Sequence, residues 1–318
     1  MIRMNNKWWT IRLVIVLLVV SVTGCAERSG ENIDVKPTRI LCFMKNEGDS
    51  TDVWRQIYYG LRDAVGENSQ YKISVYIYDE ANNLTQTDRI TCALLIRPDV
   101  VLLRASSWDG FIERLTELDD AYIRYIIFDG KDLPETNRLG FISSDNWAAG
   151  YQALEVLMNL IKAPLQIGLV NAGFHSQSVT EREESFRNAV MEQENCEIVK
   201  YISSKNQGSL LENIENVQMM LEENPGINAL FCSDSVAGQA AADVVRELGL
   251  ADTIQIVCFD TNEYILDAVE SGLIDAAIMQ STYNMGQLCL QVLENPDGPK
   301  TYYTDCVIIS KDNLELAR

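Results

Sequence analysis

From Arg39 onward the chain alternates short apolar runs with longer stretches of helical period. The first run, RILCFM, is followed by Trp54, Ile57, Tyr58, Leu61, Ala64 and Val65, a spacing that places all six on one helical face. ISVYIYD, DVVLL (99–103), RYIIFD and LGFIS come next, with helical stretches around 85–95 and 109–118 between them. A second series begins after a helix that opens near Asn146: QIGLV, IVKYI, NALFC, IQIVCF, DAAIM and DCVII. In this half Val236, Ala237, Ala240, Ala241, Val244, Val245 and Leu248 form an apolar stripe that stops at Gly249. Continuous apolar strands separated by helices indicate parallel sheets covered on both faces. The pattern therefore predicts an α/β protein with two doubly wound lobes of similar plan.

The chain of 318 residues is long enough for both lobes. Its start reads differently. Arg3, Lys7 and Arg12 precede the apolar run LVIVLLVV, and VTGC then sets small residues directly before Cys25. This resembles the lipobox of bacterial lipoproteins, so residues 1–24 are expected to be a signal peptide and Cys25 the lipidated residue. Residues 25–37 are polar, aperiodic and contain Gly and Pro, the composition of a flexible tether. An extracytoplasmic location on a lipid anchor follows from this grammar.

The formal charge is −20, and −23 once a leader with three basic and no acidic residues is set aside. Nucleic acid is excluded as a partner by that sign, and a solvated acidic surface accounts for most of the charge. There are eight cysteines and no C-x-x-C pair, so a disulfide framework is not called for. Cys42, Cys232 and Cys258 lie inside apolar runs, where the residue acts as a small hydrophobe. With Cys25 assigned to lipid, seven remain, and at least one of them is free or paired between chains.

Candidate chemistry gathers at strand ends. Asp129, Asp234 and Asp260 each terminate an apolar run, and Gln280 ends DAAIMQ. In an open parallel sheet ligands bind beyond the carboxyl ends of the strands. A carboxylate there either caps the next helix or faces the ligand. Three carboxylates and a carboxamide are acceptors suited to a ligand rich in O–H or N–H donors, such as a sugar or polyol. Trp54 supplies either an apolar wall for the ring or a core side chain; Trp108, Trp147, Phe174 and His175 are weaker candidates. No nucleophile with its base, metal cluster or phosphate loop is recognisable, so neither an enzyme nor a cofactor or metal is expected.

These features resemble the type 1 periplasmic sugar-binding proteins, close to the ribose binders and related to the effector domains of lactose-repressor-like regulators. ISSDNWAAGYQAL (142–154), EREESFRNAV (181–190) and VCFDTNEYILDAVESGLIDAAIMQSTYNMGQLC (257–289) carry the resemblance, which covers 39 to about 310. It implies two lobes, 38–142 with 281–303 and 143–280 with 304–318, joined by a three-strand hinge with crossings near Ser143, Gln280 and Thr304. It also implies ligand-binding positions at Thr51, Asp52, Trp54, Asp129, Thr180, Asp234, Asp260 and Gln280. Gly130 and Thr180 stand where ribose binders carry arginines, so the site reads as acidic, and an amino sugar or other cationic solute becomes the alternative to a neutral sugar. The implied partner is an ABC permease or, alternatively, a membrane sensor. A transcription regulator of this fold would need a helix-turn-helix where the leader lies.

Overall fold

The computed structural model describes residues 36–45, 53–78, 86–104, 110–162 and 164–318. Cys25, Thr51, Asp52 and Trp108, and with them the leader and most of the tether, lie outside the described residues. Alternation of side chains along each strand sets up four half-cores, two per sheet. Strand β1 (Thr38–Lys45) sends Ile40 and Cys42 to one face and Leu41 and Phe43 to the other. Helices α1 (Val53–Val65) and α9 (Thr282–Glu294) cover the first face through Ile57, Leu61, Met285 and Cys289. Helices α2 (Gln86–Ile96) and α3 (Phe111–Asp120) cover the second through Ile90, Ala93, Phe111 and Leu115.

The first sheet is completed by β2 (Tyr71–Tyr78), β3 (Val100–Arg104), β4 (Arg124–Phe128), β5 (Gly140–Ser144) and β11 (Thr301–Thr304), in the parallel order β11-β5-β4-β3-β1-β2. The second contains β6 (Leu165–Asn171), β7 (Cys196–Ser203), β8 (Ala229–Cys232), β9 (Gln255–Phe259), β10 (Ala276–Gln280) and β12 (Cys306–Ile309), in the order β12-β10-β9-β8-β6-β7. Its two faces are covered by α4 (Asn146–Leu160) with α5 (Gln177–Met191), and by α6 (Leu210–Glu223), α7 (Ser235–Glu247) and α8 (Glu263–Ser271). Each sheet carries its first five strands in the same spatial sequence. β12 departs from an all-parallel plan, because it runs antiparallel to β10.

The chain passes between sheets three times, after Ser144, after Gln280 and after Thr304. Strand pairing keeps Ser143, Ser144 and Thr304 in the first sheet, through Tyr303↔Ser143 and Thr304↔Ser144. Helices α1 and α9 meet at glycines: a Cβ on Gly60 would lie 1.9 Å from the Tyr283 carbonyl oxygen, and one on Gly286 2.1 Å from that of Ile57. Backbone touches backbone here, which fixes α9, reached from the second crossing, against the first sheet. All seven cysteines from Cys42 to Cys306 are free thiols.

Candidate functional site

The carboxyl ends of β4 and β9 are built alike. Asp129 and Asp260, the first residues after these strands, adopt left-handed backbone with φ 46° and 63°. Each still donates its N–H to the neighbouring strand, Asp129 to the Ile142 carbonyl at 2.9 Å and Asp260 to that of Ile278 at 3.0 Å. Aspartate tolerates this conformation better than bulky residues do, and strained backbone of this kind concentrates at functional sites.

Side chains from both lobes converge on this pair. Asp129 Oδ1 accepts a 2.5 Å hydrogen bond from the Ser178 hydroxyl of α5, and its Oδ2 meets an Arg104 Nη at 2.9 Å. Burial pushes the Asp129 carboxyl up, but Arg104, the Ser178 hydroxyl and Arg182 outweigh it and hold the group below the ordinary carboxylate range. Asp260 Oδ1 accepts from Gln280 Nε2 at 2.5 Å, while its Oδ2 lies 3.8 Å from an Arg182 Nη. Gln280 Oε1 in turn accepts from the Ser144 hydroxyl at 3.1 Å. Arg182 is buried, donates from Nε to Asn146 Oδ1 at 2.8 Å, and stands 4.1 Å over the Phe259 ring.

These contacts correct the acidic reading of the site. Asp129 and Asp260 each face a guanidinium, and the two arginines that do this, Arg104 and Arg182, are not those sought at the positions of Gly130 and Thr180. Arg104 could have been noticed as the cation that ends the run VVLLR. Arg182 stands one turn after Ser178, so both side chains leave α5 on the same face. Thr180, between them in sequence, is exposed and its Oγ1 donates to the Ser176 carbonyl. No described contact joins it to the carboxylates.

Asp234 takes the helix-cap role. Its Oδ1 accepts from Ala237 N and its Oδ2 from Ala172 N, both at 2.9 Å. Burial pushes this carboxyl up; the two backbone N–H groups offset that in part, and the charge of Asp260 adds to it. Phe174 packs on the core of the second lobe and His175 is exposed. Trp147 is exposed at the start of α4. Trp54 is half-buried, with its ring edge-on to Phe128 at 6.4 Å between centroids.

A cavity of about 740 Å³ opens beside this network, lined by Trp54, Arg104, Asp260, Asn262, Gln280 and Tyr283 among others. That size is in the range of small-molecule sites. Among the described residues no cluster of His, Cys, Asp and Glu could hold a metal ion, and no helix is long and apolar enough to cross a membrane.

A family model described as a periplasmic binding protein domain matches residues 43–295. The chain belongs to that family. Solved structures share its type 1 periplasmic binding protein fold, an α/β architecture with two parallel-sheet lobes. A sugar-binding protein of a sugar ABC transporter from Bacillus halodurans aligns with TM-score 0.77 and 21% identity over 88% of this chain and 100% of its own. An ABC transporter solute-binding protein from Agrobacterium vitis, solved with α-D-tagatopyranose, aligns with TM-score 0.73 and 22% identity over 87% and 95%. The XylFII–LytSN complex aligns with TM-score 0.70 and 23% identity over 88% and 99%. This periplasmic binding protein shares their fold at low identity, so its own site chemistry must come from its own side chains.

Proposed function

We propose that this protein is an extracytoplasmic solute-binding lipoprotein that captures a small, uncharged sugar or polyol between its lobes and delivers it to an ABC transporter. The observation that carries the reading is the meeting of side chains from both lobes beside one cavity, with Trp54 and Arg104 on one side and Asp260 and Gln280 on the other. Asp260 and the Gln280 carboxamide suit hydroxyl donors, Arg104 suits hydroxyl or ring oxygens, and the Trp54 face suits the C–H surface of a ring. Because the carboxylates at both strand ends already have cationic partners, a neutral ligand needs no buried counter-charge. Relatives of the same fold bind sugars, as the tagatopyranose complex does.

Asp129, Thr180 and Asp234 contribute at a remove in this reading, and Thr51 and Asp52, which lie outside the described residues, are kept as proposed ligand positions. Cys25 carries the lipid. A thermal-shift screen of monosaccharides, polyols and amino sugars tests the ligand class, since a ligand specific for the folded state raises Tm by mass action. Neutral sugars are expected to raise it; a response confined to amino sugars would reverse the charge argument. Cys25→Ser should abolish incorporation of radiolabelled palmitate, and retained label would remove the anchor from the proposal.

The fold shared with the XylFII–LytSN complex favours a second reading, in which the closed protein signals to a membrane sensor. Both uses need a ligand that favours the closed form. Sugar uptake lost on deletion, with signalling intact, selects transport.

A further inference from the structure

Ser178 lies in the first turn of α5, which packs on the second sheet, whereas Asp129 ends β4 of the first. Their 2.5 Å hydrogen bond is therefore a direct tie between lobes, donor and acceptor both being protein groups. Ser178 is 3% exposed, and the rest of the Asp129 carboxylate is taken by Arg104. Arg104, Asp260 and Gln280 line the cavity, but Asp129 and Ser178 are not among the residues that do. A first-turn serine ordinarily bonds to nearby backbone or to water. Here the hydroxyl spans to a carboxylate 49 residues away in sequence.

We propose that Ser178 is a positioning residue that acts through Asp129: it latches the lobes in a closed or nearly closed form before ligand arrives. Asp129, as a consequence, serves as a strut between lobes, and Arg104 is the charged group that the first lobe presents to the solute. The carboxyl of Asp129 is held in its charged form by Arg104 and Arg182 despite its burial, which strengthens the tie. Ligand then adds to a closed population that already exists instead of creating it, so affinity carries a smaller conformational cost.

The inference rests on closure of two lobes over a solute but does not depend on which solute. The test uses the full chain with no sugar added, so a wrong ligand class leaves its result intact. Donor and acceptor dyes are attached through unnatural amino acids at Tyr122 and Leu211, which are 93% and 68% exposed and lie one on each lobe. Single-molecule energy transfer is expected to show one dominant short-distance population. Ser178→Ala should lower the closed-to-open ratio by about tenfold or more, the factor for losing a hydrogen bond to a charged group. Ser178→Thr, which keeps the hydroxyl, should restore most of it, a recovery that a mere packing role would not produce. Asp129→Asn serves as a second variant and should shift the ratio in the same direction by less. A distance distribution unchanged in either folded variant, or a wholly open wild type, overturns the latch.

Discussion

Replacing Arg182 by methionine removes a buried cation while keeping much of the side chain's length. Three main interactions disappear, and their sizes differ; a longer Nη donation to the Ser233 carbonyl at 3.4 Å goes with them. The Nε donation to Asn146 at 2.8 Å is a charge-assisted hydrogen bond in a buried setting, so about 1.5 to 3 kcal/mol rests on it. The stacking on Phe259, with the guanidinium 4.1 Å from the ring centroid, adds about 1 to 2 kcal/mol because the site is desolvated. The pair with Asp260 is 3.8 Å long and the Asp260 side chain is 36% exposed, so solvent screens it to about 1 kcal/mol or less. Together the loss is about 3 to 5 kcal/mol, in line with removing one member of a buried charged network. With a urea m-value of about 3 kcal/mol/M, the midpoint should fall by roughly 1 to 1.7 M. Double-mutant cycles then separate the terms: coupling with Asn146→Ala should be about 1.5 to 3 kcal/mol, and with Asp260→Asn about 1 or below. If the Asp260 cycle carries the larger coupling, or the midpoint moves by less than about 0.3 M, the ranking of contacts is wrong.

Other outcomes follow from the same contacts. Asp129 has a folded pKa below its ordinary 3.8, so its contribution is complete at neutral pH and is lost as pH falls through the folded value. Melting curves of wild type should thus decline more steeply as pH falls below the ordinary carboxylate range than those of Asp129→Asn, and parallel declines would contradict the depressed pKa. Trp54→Ala should weaken binding of any sugar found in the thermal-shift screen by about tenfold or more, measured by calorimetry; unchanged affinity would leave the ring a packing role in the core. Gly286→Ala drives a methyl group into the Ile57 carbonyl and should cost about 1 to 3 kcal/mol by urea titration, while a neutral result would mean α1 and α9 separate freely. Burial raises the thiols of Cys42 (to about 12), Cys232, Cys258 and Cys289, so mass spectrometry should find them unalkylated by iodoacetamide until the protein unfolds.

Period and run length were sufficient to read most of the elements, because a strand buried on both faces must be apolar throughout and its covering helix must carry a stripe; β11, the polar edge strand TYYT, escaped that criterion. The ends of β4 and β9 were legible for the same reason: an apolar run that halts at aspartate marks a strand leaving its sheet. What local pattern does not encode is direction and partner. β12 looks like any other apolar run, and only the third crossing, after Thr304, makes it antiparallel to β10. Asp234 satisfied both descriptions of a strand-end carboxylate until the N–H groups of Ala172 and Ala237 were seen on its two oxygens. Arg104 and Arg182 do not stand out in the sequence because their carboxylates lie far away along the chain, and Ser178 is by local pattern an ordinary first-turn helix residue. Partners across a cleft are set by the packing of whole lobes, a long-range property that no window of adjacent residues contains.

Gln280 stands where the second crossing leaves the second sheet, and its one carboxamide faces two ways. The carbonyl receives Ser144 at the first crossing, and the amino group reaches Asp260 beside the cavity. An amide is the only side-chain terminus of that length offering an acceptor and a donor side by side. A glutamate would set like charges together, and a methionine would leave both neighbours unanswered. Under the proposed function, rotation at the hinge and grip on the solute would share a single planar group, and evolution could not retune one at this position without disturbing the other.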